Sequence, residues 1–341
     1  MDILFCPDSF KNCITSVELC SQIQGVKSCP LSDGGEGFLD ILNLQKKLNW
    51  QNVQVFDSNG NNKDINYAVF DTTAFIEAAR IVGHEASSES SILERSSYGL
   101  GQAILHAMNQ GLSSIVVAAG GTGVHDGGVG LLTALGARFL DSEGEEKVWK
   151  DFDKVTSYLP PLRDMRGIKV LCDVDSTFLE SLALYAPNKN ASDEELKMLT
   201  LRFQTLLEFY GEATKRSGVG GGISHALSTQ CDAELISGFE YLAELFDVES
   251  QITQADYIVT GEGRVDESTL SGKVVSGVAA LAEKHNTPCI VMCGQWDGLS
   301  RPRGVEKIIS LNDNFAEDHS KEATTERLQE FIDEMLNYED Q

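Results

Sequence analysis

Five stretches of the chain share one pattern: a short apolar run, then a turn rich in glycine or acidic residues. ILFCPDSFK leads into a helix expected over Thr15 to Gln24, and SSIVVAAGGTGVHDGG leads into VGLLTALGARF. IKVLCDVD, DYIVTGEGRVD and PCIVMCGQWDG repeat the apolar run and the polar turn. Strands alternating with helices in this way predict an α/β protein with largely parallel sheet. Ligands of such sheets collect at the carboxyl ends of strands, where these polar turns lie. DSNGNNKDIN, residues 57–66, marks a turn or linker, and a second boundary is expected near Val248 to Ala255. Pairing of Ile3 to Cys6 with the strands at Tyr257 and Cys289 would make the first domain discontinuous. It would comprise 1–58 plus 255–341, with 59–254 inserted as a second domain across a cleft.

The totals narrow the function classes. At 341 residues there is room for two domains, each with its own core. No run of about 18 apolar residues occurs, so no membrane span is expected. The opening MDILFCPDSF has no basic region or signal-peptide core, and a cytoplasmic location is the expectation. The net charge of −25 argues against nucleic-acid or anionic-membrane partners. An anionic small substrate would then need placed Lys and Arg residues or a bound metal. The eight cysteines form no CxxC pair, and the six histidines form no zinc pattern, so buried reduced thiols are expected. Nothing in the sequence sets the oligomeric state, and a homodimer stays among the options.

Two glycine-dense loops stand out: GGEGF, beginning at Gly34, and GGTGVHDGGVG, Gly120 to Gly130. Glycine turns that open helices expose backbone N–H groups able to cradle phosphate or carboxylate oxygens, although glycines also serve tight turns alone. No GxGxxG follows a strand, and TLSGKVV lacks the first glycine and the final Ser or Thr of a P-loop. The turns carry Asp8, Asp33, Glu36, Asp126, Asp173, Asp175, Glu262 and Asp266. Singly, each aspartate reads as a cap or turn residue. Brought together, carboxylates repel by up to about 4 kcal/mol per close pair, so the set implies cations. Lys11, Arg264, Lys273 and Mg²⁺ are the candidates, in a phosphoryl-transfer site.

The same motifs, in order, resemble the type-1 glycerate kinase family along nearly the whole chain. PDSFK (Pro7 to Lys11), SDGGEG (Ser32 to Gly37), IEAARIVG and SSYGLGQAI are similar to its successive blocks. GGTGVHDGGVGLLTALG resembles its GGSATNDGG block, CDVD its CDVxNPL, and TGEGRVDESTLSGK its TGEGRxDxQTxxGK. The resemblance implies two α/β domains, one Rossmann- or flavodoxin-like and one mixed, with the active site in the cleft. It implies ATP-dependent phosphorylation of glycerate, or of a related small hydroxy acid, with Mg²⁺. Lys11, Asp173, Asp175, Arg264 and Asp266 are then the expected catalytic residues. Asp8, Ser9, Asp33, Gly34, Gly35, Glu36, Gly120, Gly121, Asp126, Gly261, Glu262, Gly263 and Lys273 would bind substrate or nucleotide. Asp173, Asp175, Glu262 and Asp266 are open as metal ligands, and the sequence does not sort base from ligand.

The chain departs from the family pattern at Ser176-Thr177-Phe178, where Asn-Pro-Leu is usual, and at YAPNKNA, Tyr185 to Ala191, in place of GPQKGA. Ser268-Thr269 replaces Gln-Thr, and His125 replaces Asn. A non-catalytic ligand-binding or regulatory member of the same fold is therefore the alternative, and a nicotinamide oxidoreductase a weaker one. His125 either lines the site, where its titration near pH ~6.5 would modulate turnover, or faces solvent.

Overall fold

The structure is a computed structural model, and it describes residues 1–11, 13–84, 90–162, 165, 167–271, 273–311 and 320–337. Gly272 of the TGEGRVDESTLSGK motif lies outside the described residues. The strands are β1 (Ile3–Pro7), β2 (Lys27–Ser28), β3 (Asn49–Phe56), β4 (Asn62–Phe70), β5 (Thr73–Glu77), β6 (Ser114–Ala118) and β7 (Arg138–Leu140). They continue as β8 (Ser157–Leu159), β9 (Ile168–Cys172), β10 (Glu234–Ser237), β11 (Tyr257–Val265), β12 (Cys289–Trp296) and β13 (Val305–Ser310).

The chain divides into two compact units. Unit 1 comprises Met1–Asp33, Asp40–Gln45 and Gly238–Gln341; unit 2 comprises Gly34–Leu39 and Lys46–Ser237. Unit 1 holds a parallel sheet in the order β13-β12-β11-β1-β2. Ile3 registers with Tyr257, and Ile258 with Cys289, so the first strand pairs with the last part of the chain. Every residue of β1 is buried, which explains its unbroken apolar run. The helix expected over Thr15 to Gln24 runs Ser16–Gln22; Thr15 caps it by accepting from the Glu18 N–H, while Glu18 reaches back to the Thr15 N–H.

Unit 2 is built on a sheet in the order β10-β9-β6-β5-β4-β3. The first four strands are parallel, and β4 and β3 add an antiparallel hairpin. The polar stretch at 57–66 covers that hairpin's turn and the start of β4, closed by the Asp57 N–H donating to the Asn61 carbonyl. The chain passes between the compact units at 33/34, 39/40, 45/46 and 237/238, whereas the sequence pointed to 58/59 and 254/255. A further small ribbon, β7 with β8, is antiparallel. The core of unit 2 includes Phe178, stacked on Phe203 with ring centroids 4.2 Å apart. The departure at Ser176-Thr177-Phe178 is therefore packed in: Gly222, at φ +93°, leaves the space Phe178 occupies.

One expected turn is a strand. TGEGRV continues β11 to Val265, with Arg264 opposite Gln295 and Val265 opposite Trp296. Gly261 permits this, because a Cβ there would stand 2.1 Å from the Met292 carbonyl oxygen. CGQW likewise extends β12 to Trp296. Glu262 and Arg264 thus sit on extended backbone, which fixes their spacing more firmly than a loop would, and Asp266 follows directly after the strand.

Candidate functional site

In unit 1 the site residues gather where β1 and β11 end. The Asp8 N–H donates to the Gly261 carbonyl at 2.8 Å, and its carboxylate accepts the Ser9 N–H at 2.7 Å. Ser9 Oγ accepts the Ser16 N–H at 3.2 Å, tying this turn to the first helix. Burial raises the Asp8 carboxyl well above its ordinary range, the negative charges of Asp33 and Glu262 add to this, and the Ser9 N–H and Lys11 oppose it. Gly263 brings the backbone of Phe10 and Lys11 close, since a Cβ there would meet the Lys11 nitrogen at 3.2 Å.

Glu262 and Asp266 share this strand end but differ in state. Burial pushes Glu262 up, with help from Asp33 and Asp266, against a 2.6 Å hydrogen bond from the Thr269 hydroxyl and the charge of Lys273. Asp266 is held down, first by the Ser268 hydroxyl at 2.6 Å, then by the Ser268 N–H, Lys273 and Arg264. Arg264 Nε lies 3.3 Å from Asp266, and Lys273 Nζ donates to Ser268 Oγ at 3.0 Å. The altered pair Ser268-Thr269 is thus fully used, one hydroxyl on each carboxylate.

In unit 2 the corresponding place is the end of β5, β6 and β9. Gly34 and Gly35 are buried and Glu36 is exposed. A Cβ on Gly120 would stand 2.8 Å from Gly35 Cα and 3.0 Å from Asp173 Oδ2, so only glycine lets these three segments meet. A Cβ on Gly121 would stand 3.2 Å from Ala79 Cβ and 3.8 Å from the Glu36 nitrogen. A buried acid holds the arrangement: Glu77, at the end of β5, accepts the N–H groups of Gly37 and Leu39, each at 3.1 Å. Sequence reading missed Glu77, because it sits at the end of an apolar strand run and carries no turn signal.

Two expected ligand-facing acids are otherwise engaged. Asp126 is fully buried, and its carboxylate accepts the N–H groups of Ser97, Gly128 and Gly130 and the Ser97 hydroxyl. It clamps the GGTGVHDGG loop from inside, and four donors leave it no free face for a ligand. Asp175 pairs with Arg216 at 3.0 Å and Lys215 at 2.9 Å. His125 is also in the core, neither lining a cavity mouth nor facing solvent: its ring lies 5.2 Å from that of Phe203 and its Nε2 3.3 Å from Ser181 Oγ. Burial, with the charge of Lys189, drives its pKa well below the ordinary histidine value. It stays neutral, and the expected titration near neutrality does not belong to it.

A third glycine loop, SGVGGGI at 217–223, was overlooked, although its composition was as plain as that of the other two. Gly220, Gly221 and Gly222 all have positive φ, and a Cβ on Gly221 would stand 2.3 Å from the Val124 carbonyl oxygen. The Gly127 N–H donates to the Gly221 carbonyl at 3.0 Å. This loop backs the GGTGV segment and opens the helix Ile223–Gln230.

Among the described residues no three His, Cys, Asp or Glu side chains form a ready-made metal cluster. Mg²⁺ does not need one, because it keeps waters and takes one or two carboxylates with substrate phosphates. Asp266 and Asp175 already face cationic partners. Burial raises both Asp8 and Glu262, Asp33 adds to both rises and Glu262 to that of Asp8, and a divalent cation beside them would relieve this crowding of negative charge. The donor set of unit 1 therefore fits Mg²⁺.

A family model described as the glycerate kinase family matches residues 3–338. An uncharacterized protein of Synechocystis sp. is 36% identical over 321 residues, covering 86% of this chain and 85% of the relative. Glycerate 2-kinase of Escherichia coli is 28% identical over 350 residues, covering 91% and 90%. A crystal structure described as that of glycerate kinase 2 from Salmonella typhimurium LT2 superimposes with a TM-score of 0.77. It is 27% identical and covers 100% of this chain and 99% of that one.

Proposed function

The chain belongs to the glycerate kinase family, and we propose that it transfers the γ-phosphoryl group of ATP to a hydroxyl of glycerate or a closely related small hydroxy acid. The observation that carries this reading is the end of β11, where a buried Glu262 accepts the Thr269 hydroxyl at 2.6 Å while the more open Asp266 accepts the Ser268 hydroxyl at 2.6 Å and faces Arg264 at 3.3 Å, settings that push the two carboxylates in opposite directions. Environments that separate like groups in this way mark an acid–base assignment. Glu262 is the base that accepts the acceptor hydroxyl's proton, with Thr269 fixing its orientation. Asp266 stays ionised and holds Arg264 for an anionic group of the ligands.

Phosphoryl transfer asks a protein chiefly for positioning and charge stabilisation. Lys11 and Lys273 supply cationic charge beside Asp8 and Glu262. Asp8 and Asp33 are the residues that would hold Mg²⁺, which when bound neutralises phosphate oxygens. The glycine loops at Gly34–Glu36 and Gly120–Gly121, with Asp173 beside them, serve ligand binding. A cytoplasmic location accompanies this reading; among the described residues no helix is long and apolar enough to cross a membrane.

The test is ADP release by purified protein with Mg²⁺ and ATP over a panel of small hydroxy acids, run beside Lys11→Ala. Acceptor-dependent release, greatest with glycerate and reduced about 100-fold or more in Lys11→Ala, is the expected result. Ligand binding without release for any acceptor would favour the non-catalytic alternative.

A further inference from the structure

Two buried cations hold consecutive peptide oxygens of the GGTGV loop. Arg95, 2% exposed, donates from Nη1 to the Gly123 carbonyl at 3.2 Å and to the Lys189 carbonyl at 2.9 Å. Lys189, 6% exposed, donates from Nζ to the Val124 carbonyl at 2.5 Å. The Gly123 N–H in turn donates to Val82, and the loop's far half is fixed by Asp126 and Gly221. Arg95 therefore positions Lys189 as well as the loop. Lys189 comes from YAPNKNA, the block that departs from the family pattern.

Geometry of this kind does not need a charge at Lys189. A carbonyl is satisfied by a neutral donor, and burying an ammonium is costly unless its charge is offset. Burial pulls the amine down to about 7, while Asp173 and then Asp126 support the charged form and Arg95 opposes it. Asp173 is the half-buried carboxylate that Gly120 approaches. Without a nearby cation, that carboxylate would repel any anionic ligand brought to the glycine loops.

We propose that Lys189 is a positioning residue whose ammonium, acting from behind the loop, offsets Asp173 and lets an anionic ligand settle at Gly120–Gly121. The inference rests on the kinase reading for the identity of the ligand, glycerate or ATP. It does not rest on that reading for the site.

Charge and packing are separable at Lys189. Methionine keeps much of the side-chain volume without charge, whereas arginine keeps the charge but is bulkier. If Lys189 acts by charge, Lys189→Met should lower kcat/KM about 100-fold, by analogy with the loss of a preorganised charged donor. Lys189→Arg should stay within about tenfold of the parent, even if its melting temperature is the lower of the two. If Lys189 only fills space, the order reverses, and equal or better performance by Lys189→Met overturns the proposal. Lys189→Gln replaces Lys189→Met if the latter does not fold, since it retains a donor for Val124. Calorimetric titration of the same proteins with glycerate and with ATP gives a readout independent of turnover. Binding that is retained by Arg and weakened by Met, in a parent that shows no turnover, would sink the kinase reading and keep this one. Binding of neither ligand by the parent would overturn both.

Discussion

Asp126 Oδ2 accepts both the backbone N–H and the hydroxyl of Ser97, at 2.7 and 2.8 Å, and both residues are fully buried. The Ser97 hydroxyl also accepts the Leu131 N–H at 2.9 Å, so one pair ties together the starts of two helices. Removing the carboxylate would strand these donors away from water. Asp126→Ala should therefore destabilise the protein by about 3 kcal/mol or more, with Asp126→Asn milder. Chemical denaturation followed by circular dichroism checks this, and an unchanged midpoint would return Asp126 to the list of ligand-facing residues.

Asp8 carries the opposite signature, a group that function keeps at a stability cost. Its folded pKa lies above its unfolded value, so its favourable contribution is complete below the unfolded pKa and disappears as pH rises through the folded one. Asp8→Asn should accordingly raise the melting temperature by about 2 °C or more at pH ~7 and by less at pH ~4. Added Mg²⁺ should stabilise the parent and leave Asp8→Asn nearly unmoved, because a ligand bound only to the folded state raises stability by mass action. Equal Mg²⁺ stabilisation of both proteins would remove Asp8 from the metal's ligands.

Thr269 lowers the pKa of Glu262 through its hydroxyl, against the larger effect of burial. Thr269→Val removes that bond and raises Glu262 further. A base must be ionised to work, so the acid limb of kcat/KM should move to higher pH in the variant. An unmoved limb would show that Glu262 is not the base.

Lys189 predicts a stability profile distinct from its effect on ligands. Its amine titrates at about 7 in the folded chain, well below the ordinary lysine value near ~10.4. Between these values the unfolded state binds more protons, so folding stability gains from this group as pH rises from about 7 towards 10. The gain should be missing in Lys189→Met, so the stability difference between the two proteins should change over this window. Parallel profiles would mean that the buried amine does not titrate there.

The parts of the fold that follow from apolar runs were legible in the sequence. The buried run Ile3 to Cys6, its partner at Tyr257 and the next strand of the sheet at Cys289 need no knowledge of neighbours to be recognised as strands. TGEGRV was harder, because its glycines suggest a turn, and only the approach of Met292 to Gly261 shows why they sit in a strand. The antiparallel pair β3 and β4 was hidden by its turn, whose polar residues resemble a linker. Acidic residues were found by type but not sorted by role. Asp126 and Asp266 both lie beside glycine-containing turns, yet one is enclosed by four donors and the other faces Arg264. That distinction depends on partners distant in sequence, such as Ser97. Lys189 illustrates the converse: its block departs from the family pattern, and its burial appears only once Arg95 and Val124 are in place.

Phosphorus NMR on the purified protein with ATP, Mg²⁺ and glycerate follows the transferred group itself. The account predicts that ATP signal is replaced by ADP and a new phosphomonoester resonance in equal amounts, and that neither forms without glycerate. ATP left intact, or hydrolysed to inorganic phosphate at the same rate with and without glycerate, would contradict it.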